Sequence, residues 1–174
     1  MPFTPIHLGI AAPVKAVSNK KFHLMIFAWA QVVMDIQPLI VILTHHGRTH
    51  GITHTFIGAI VLGLVAAVSG RYLLELAGKI VNWKYLKSGV LSWKVVFISA
   101  YFGTPSHVLL DALIYPDMDF FWPFMAGNPL RIGVSSLEMY GFCLLSGLIG
   151  SVLWVILFII RKRKMRQGKT PDAS

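Results

Sequence analysis

Four stretches of this 174-residue chain are predominantly apolar over the roughly 20 residues that a helix needs to cross a hydrocarbon core of about 30 Å. They run from Phe22 to Leu43, Thr53 to Leu76, Trp93 to Tyr115 and Leu137 to Ile160. Lipid offers no water to satisfy backbone amides, so each stretch has to bond its own backbone as a helix. The expected fold is therefore all-α: an integral membrane bundle of four transmembrane helices. A content of 55% hydrophobic against 13% charged residues excludes an ordinary soluble domain of this size. The net charge of +9 would suit a nucleic-acid partner, but the basic residues lie between and after the apolar runs, so none is expected.

A shorter apolar piece, Pro5 to Val17, contains Pro13 and is too short to span, which points to a re-entrant or half-inserted helix. Lys15, Lys20 and Lys21 follow it instead of preceding it, so signal-peptide cleavage is not expected. The chain reads as one membrane-embedded domain, 1–160, with a basic, disordered cytoplasmic tail, 161–174. Trp83, Tyr85 and Trp93 bracket the second connection, where an interfacial helix fits. Cys143 is a lone thiol in an apolar run and reads as a small hydrophobe. Gly58, Gly63, Gly141 and Gly147 are positioned to ease helix packing.

Charge fixes an orientation. If the first full helix leaves the cytoplasm, one face collects Lys15, Lys20, Lys21, Arg71, Lys79, Lys84, Lys87, Lys94 and the Arg161–Lys169 cluster, while the other keeps only Arg48 and Arg131. The positive-inside rule then puts the C-terminus in the cytoplasm and the protein in the plasma (inner) membrane. The basic tail would meet anionic lipid there.

Ionisable groups inside apolar segments cost about 2.5–3.5 kcal/mol each near a helix centre, so they call for a partner or a function. Six stand out: His7, Asp35, His50, His54, His107 and Asp111. His50/His54 and His107/Asp111 are i, i+4 pairs, which on a helix share one face. A rise of about 1.5 Å per residue from the cytoplasmic boundary puts all six at one level in the outer half of the bilayer. Imidazole and carboxylate together make a nitrogen and oxygen ligand set for a divalent ion, zinc first, with manganese or iron as alternatives. A metal also makes water nucleophilic near neutral pH without a serine or cysteine triad, so hydrolysis is the natural reaction class. Asp35, His107 and Asp111 form the catalytic set, and a ligand carboxylate, Asp117 or Asp119 is available to take the proton from water. His23, His45 and His46 read as interfacial or solvated, Asp117 and Asp119 as residues of a solvated turn, and Arg131 as an anchor or a phosphate contact.

Pro5-Ile-His-Leu-Gly9, Met34-Asp-Ile-Gln-Pro38, His50-Gly-Ile-Thr-His-Thr55 and Gly103-Thr-Pro-Ser-His-Val-Leu-Leu-Asp111, leading into Trp122-Pro123, occur in this order over residues 5–125. In these motifs the chain resembles the YdjM-type family of membrane-bound metal-dependent hydrolases. The resemblance implies metal-ligand roles for His7, Asp35, His50, His54, His107 and Asp111. Where family members carry a second aspartate two residues after the first, this chain has Gln37, and Met34 stands where they have proline. The His-x-x-x-Asp element is also similar to one in zinc-dependent phospholipases C, which implies phosphoester chemistry, and a site where headgroups meet acyl chains points to a membrane lipid or lipid-linked phosphoester as substrate. A small transporter or proton/ion conduit, and a non-enzymatic membrane scaffold, are the rival expectations.

Overall fold

The computed structural model describes residues 5–81 and 91–167. A 3-10 turn, Pro5–Ile10, runs into helix α1, Ala11–Ser18, and a second such turn, Asn19–Lys21, leads to α2, Leu24–Thr44. A 3-10 turn at Ile52–His54 opens α3, Phe56–Val81, followed by α4, Trp93–Ile114, and α5, Ser136–Arg166. The described residues contain no strand. Four helices, α2 to α5, are long and apolar enough to cross a membrane. The chain is thus an all-α bundle of multi-pass membrane type.

Local chemistry sets the ends. Helix α2 stops where His45 adopts a left-handed conformation, φ 56°, at the C-cap. Helix α4 stops just before Pro116, whose ring disfavours a helical Tyr115. Helix α5 starts with a reciprocal capping box: Ser135 Oγ accepts from the Glu138 amide, and a Glu138 carboxylate oxygen accepts from the Ser135 amide. Its basic end continues as helix through Arg166, where a disordered tail from residue 161 was expected. Lys and Arg are good helix formers, and their charges suit the negative pole of the helix. The remaining tail, 168–174, and the proposed interfacial helix around Trp83 and Tyr85 lie outside the described residues.

Helices α2, α3 and α4 pack on one another, and α5 packs mainly on α1 and the first 3-10 turn. The His23 amide at the start of α2 donates to Ser99 near the start of α4 (2.8 Å), so these two helices run parallel, with α3 antiparallel to both. At the basic end Ile26, Ala30, Val33, Ala66, Ala67, Val96 and Ala100 form a dry core. Gly103 lets α2 and α4 close up, since a Cβ there would lie 2.7 Å from the Ala30 Cβ. Gly9 likewise lies against the Cys143 carbonyl of α5, with no room for a side chain. Gly63 and Gly147 sit at contacts, with Tyr101 and Gly9 respectively, whereas Gly141 faces open space. The N-terminal piece forms no spanning helix. Asn19, φ 48°, turns the chain after only the 8 residues of α1, leaving His7 tucked into the far end of the bundle.

Candidate metal centre

Three chain ends meet where α2 and α4 finish and α3 begins. Asp35 comes from the middle third of α2, three residues before Pro38. His107 and Asp111 come from α4, one turn apart and just after Pro105. The turn preceding α3 supplies His54, and the first 3-10 turn brings in His7. Each proline removes an amide donor from its helix, so the ladder is already interrupted beside the polar side chains. All five residues are buried, beside a second apolar cluster that includes Met34, Ala59, Val108 and Ala112.

His107 Nε2 lies 3.4 Å from Asp35 Oδ1 and 3.3 Å from Asp111 Oδ2, and His54 Nε2 lies 3.5 Å from the same Asp111 oxygen. Ligand atoms about 2.0–2.1 Å from a tetrahedral ion lie about 3.3–3.4 Å apart, and these three spacings are close to that separation. They are not hydrogen bonds. His54 Nε2, His107 Nε2 and Asp111 Oδ2 are buried without a hydrogen-bond partner, as are both ring nitrogens of His7. Two overlapping triads result, His7/His107/Asp111 and Asp35/His54/His107, with the ligand atoms of each within 4.8 Å of one another. Orphaned nitrogens and a buried carboxylate oxygen are costly unless something else occupies the space between them. The donor set fits a divalent cation.

The opposite ring nitrogens explain why the Nε2 atoms are bare. Gln31 Nε2 donates to the Gly103 carbonyl (3.0 Å), which turns Gln31 Oε1 toward His107 Nδ1 at 2.7 Å. An amide oxygen only accepts, so His107 carries a proton on Nδ1, and in the neutral ring that leaves the lone pair on Nε2. His54 Nδ1 is 3.0 Å from Thr53 Oγ1. The Thr53 hydroxyl donates in turn to Gln37 Oε1, and the Gln37 amide nitrogen donates to the Arg48 carbonyl (3.4 Å). That relay makes Thr53 Oγ1 an acceptor for His54, whose Nε2 is again a lone pair. Burial holds His7 and His54 down at about 4 against the opposing pull of Asp111, so both imidazoles are neutral at pH 7, the form that ligates.

Of the six residues singled out by sequence, five converge, and His50 stands beside them. Its ring is 5.4 Å from that of His54 and stacks at 4.4 Å on Tyr115, but it belongs to neither triad. His50 Nδ1 pairs with Asp117 at 2.8 Å, leaving a buried, unpartnered Nε2. Asp117 is therefore not merely a residue of a solvated turn. Asp119 pairs with Arg48 (3.0 Å) and accepts from the Gly127 amide (2.7 Å), bracing the loop between α4 and α5. His45 and His46 are exposed, as loop residues should be. Sequence reasoning missed the supporting shell of Gln31, Gln37 and Thr53. The only trace was a pair of amide side chains at Gln31 and Gln37 flanking Asp35 in an otherwise apolar run. No family model, curated protein or solved structure matches the chain.

Proposed function

We propose that this protein is a membrane-embedded, metal-dependent hydrolase of the YdjM type, acting on a lipid or lipid-linked phosphoester. In this reading it sits in the inner membrane with its C-terminus in the cytoplasm and its metal centre in the outer leaflet. The observation that carries the reading is the pair of bare, buried imidazole nitrogens held at coordination distances from Asp35 and Asp111. His54, His107, Asp35 and Asp111 would hold one divalent ion, zinc by its donor set, with His7 beside them. One ion suffices, because His107 Nδ1 is committed to Gln31 and its single lone pair serves a single metal. Bound there, the ion supplies Lewis-acid polarisation of a phosphoryl oxygen and acidifies water.

The chain's own side chains do the rest. Gln31 and the Thr53–Gln37 relay fix the ring orientations of His107 and His54, so little reorganisation accompanies reaction. His50, outside both triads, presents the next bare Nε2 and accepts the proton from water while Asp117 holds Nδ1–H. Access from lipid is supported by the loop joining α4 to α5. Phe121, Trp122, Phe124 and Met125 are exposed there, and the same loop braces His50 through Asp117. Arg48, three-quarters exposed at this end, offers a cation to a headgroup phosphate.

A conduit requires a polar route through the other half of the bundle. Between Leu24 and Met34 on α2 there is no carboxylate or imidazole, and the facing core is aliphatic. A scaffold held together by polar groups would pair its imidazoles with one another or with the backbone, instead of leaving their Nε2 atoms bare. The test is elemental analysis of the purified protein against a His107→Ala, Asp111→Ala variant. About one zinc or manganese per chain, lost in a variant that keeps its helical circular dichroism, is the expected result. Equal metal in both, or none in the wild type after reconstitution, would overturn the proposal.

A further inference from the structure

At the end of the bundle away from the metal centre, a groove of about 430 Å³ runs between α1, the start of α2 and the C-terminal half of α5. Its volume is within the range of small-molecule sites, about 300–1,000 Å³. Its walls are Ala12, Leu24, Gly150, Trp154 and Val155, with one charged side chain, Lys15. Lys15 Nζ donates to the carbonyls of Asn19 (2.6 Å) and Phe22 (2.7 Å), which fixes the ammonium at the groove and leaves the third of its N–H bonds free. Arg161 is tied to the same place through the Ala16 carbonyl (3.3 Å), and Lys20 and Lys21 are exposed in the turn that follows α1.

Among the described residues neither Lys15 nor Arg161 is paired with a carboxylate. No carboxylate occurs between Pro5 and Met34 or between Met139 and Gln167. We infer that the groove binds a bilayer phospholipid of net negative headgroup, its acyl chain lying along the groove beside the α1–α5 contact, over Leu24, Trp154 and Val155, and its phosphate against Lys15 and Arg161. Trp154 and Arg161 are two turns apart on α5, about 10 Å, which suits a chain lying in the groove below a headgroup at the basic boundary. Basic pockets at the ends of membrane helices are recurrent sites for anionic headgroups. A second copy of the protein suits this face poorly, because a two-fold contact would bring Lys15, Lys20, Lys21 and Arg161 against their own equivalents. The site lies at the opposite end of the bundle from the metal centre and stands or falls independently of it.

The full chain, released from bilayers of equal phosphatidylglycerol and phosphatidylcholine, is examined by native mass spectrometry. Retention of phosphatidylglycerol over phosphatidylcholine by about tenfold or more is expected, as two basic groups near one headgroup would give. Ser151→Phe fills the groove with every basic residue in place, and Lys15→Met removes the charge while keeping the length of the stem. Both are expected to cut that retention at least about tenfold. If Lys15→Met fails to fold, Ser151→Phe and the headgroup comparison on the wild type still decide. Equal retention of the two lipids, undiminished retention in a folded variant, or a lipid-free dimer would each overturn the assignment.

Discussion

Helix α4 buries 56% of its most apolar window and α5 only 11%, although α5 is the more apolar of the two. In water that order would be reversed. In a bilayer the solvent is itself hydrocarbon, so apolar surface gains little from burial, and what has to be enclosed is the polar cargo. Helix α4 carries Ser99, Thr104, His107 and Asp111 inward and packs on both α2 and α3. Helix α5 buries only Met139, Cys143 and Gly150, touches mainly the N-terminal segment and otherwise faces lipid. Burial in this molecule follows the polar side chains.

The contrast can be broken first at the metal. Replacing His107 and Asp111 with alanine should abolish stoichiometric metal in elemental analysis, whereas Leu148→Ala on the exposed face of α5 should leave metal content unchanged. Loss of metal in both would mean that the centre depends on global packing and not on α4's side chains. A smaller effect is expected one shell out. Gln31→Leu keeps the volume but frees His107 Nδ1, and should weaken metal affinity by about 10- to 100-fold with the helices intact, measured by competition with a chelator.

Packing gives the next comparison. Gly103→Val has to push α4 away from Ala30 and should destabilise the apoprotein by about 1–3 kcal/mol in detergent unfolding, while Gly141→Ala on α5, with open space around it, should stay within about 0.5 kcal/mol. Equal effects would erase the distinction between the two helices. The pH response is gentler and has a definite sign. His7 and His54 are held at about 4 in the fold against 6.5 when free, so the unfolded chain binds more protons between those values. Their contribution is complete above about pH 6.5 and declines as the pH falls toward 4. Thermal unfolding of the metal-free protein at pH 7 and pH 5 should show the lower midpoint at pH 5. The His7→Phe, His54→Phe variant should narrow that gap.

The four spans were legible because a run of about 20 apolar residues has few other readings. The inward-facing residues of α2 and α4 were legible for the complementary reason: Asp35, His107 and Asp111 are conspicuous in such runs because a charge in hydrocarbon is expensive. Gln31, Gln37 and Thr53 carry no charge, cost far less to bury and left almost no signal, yet they decide which nitrogen of each histidine is bare. His50 and His54 looked equivalent as an i, i+4 pair. The segment is a loop and a 3-10 turn instead of an α-helix, so only His54 enters the cluster. The basic stretch Arg161–Arg166 read as tail by charge, but charge does not end a helix whose residues all favour it.

By itself, the sequence determined that the chain is a helical membrane bundle and that its costly polar groups are concentrated toward one end, since both follow from transfer free energies that act residue by residue. Only the tertiary structure decided which of those groups face one another, which ring nitrogens are left bare and that α5 stands largely apart in lipid. Those outcomes depend on close approaches such as Gly103 to Ala30 and Gly9 to Cys143, and on hydrogen bonds between residues 76 positions apart, as His107 and Gln31 are, which no local pattern encodes.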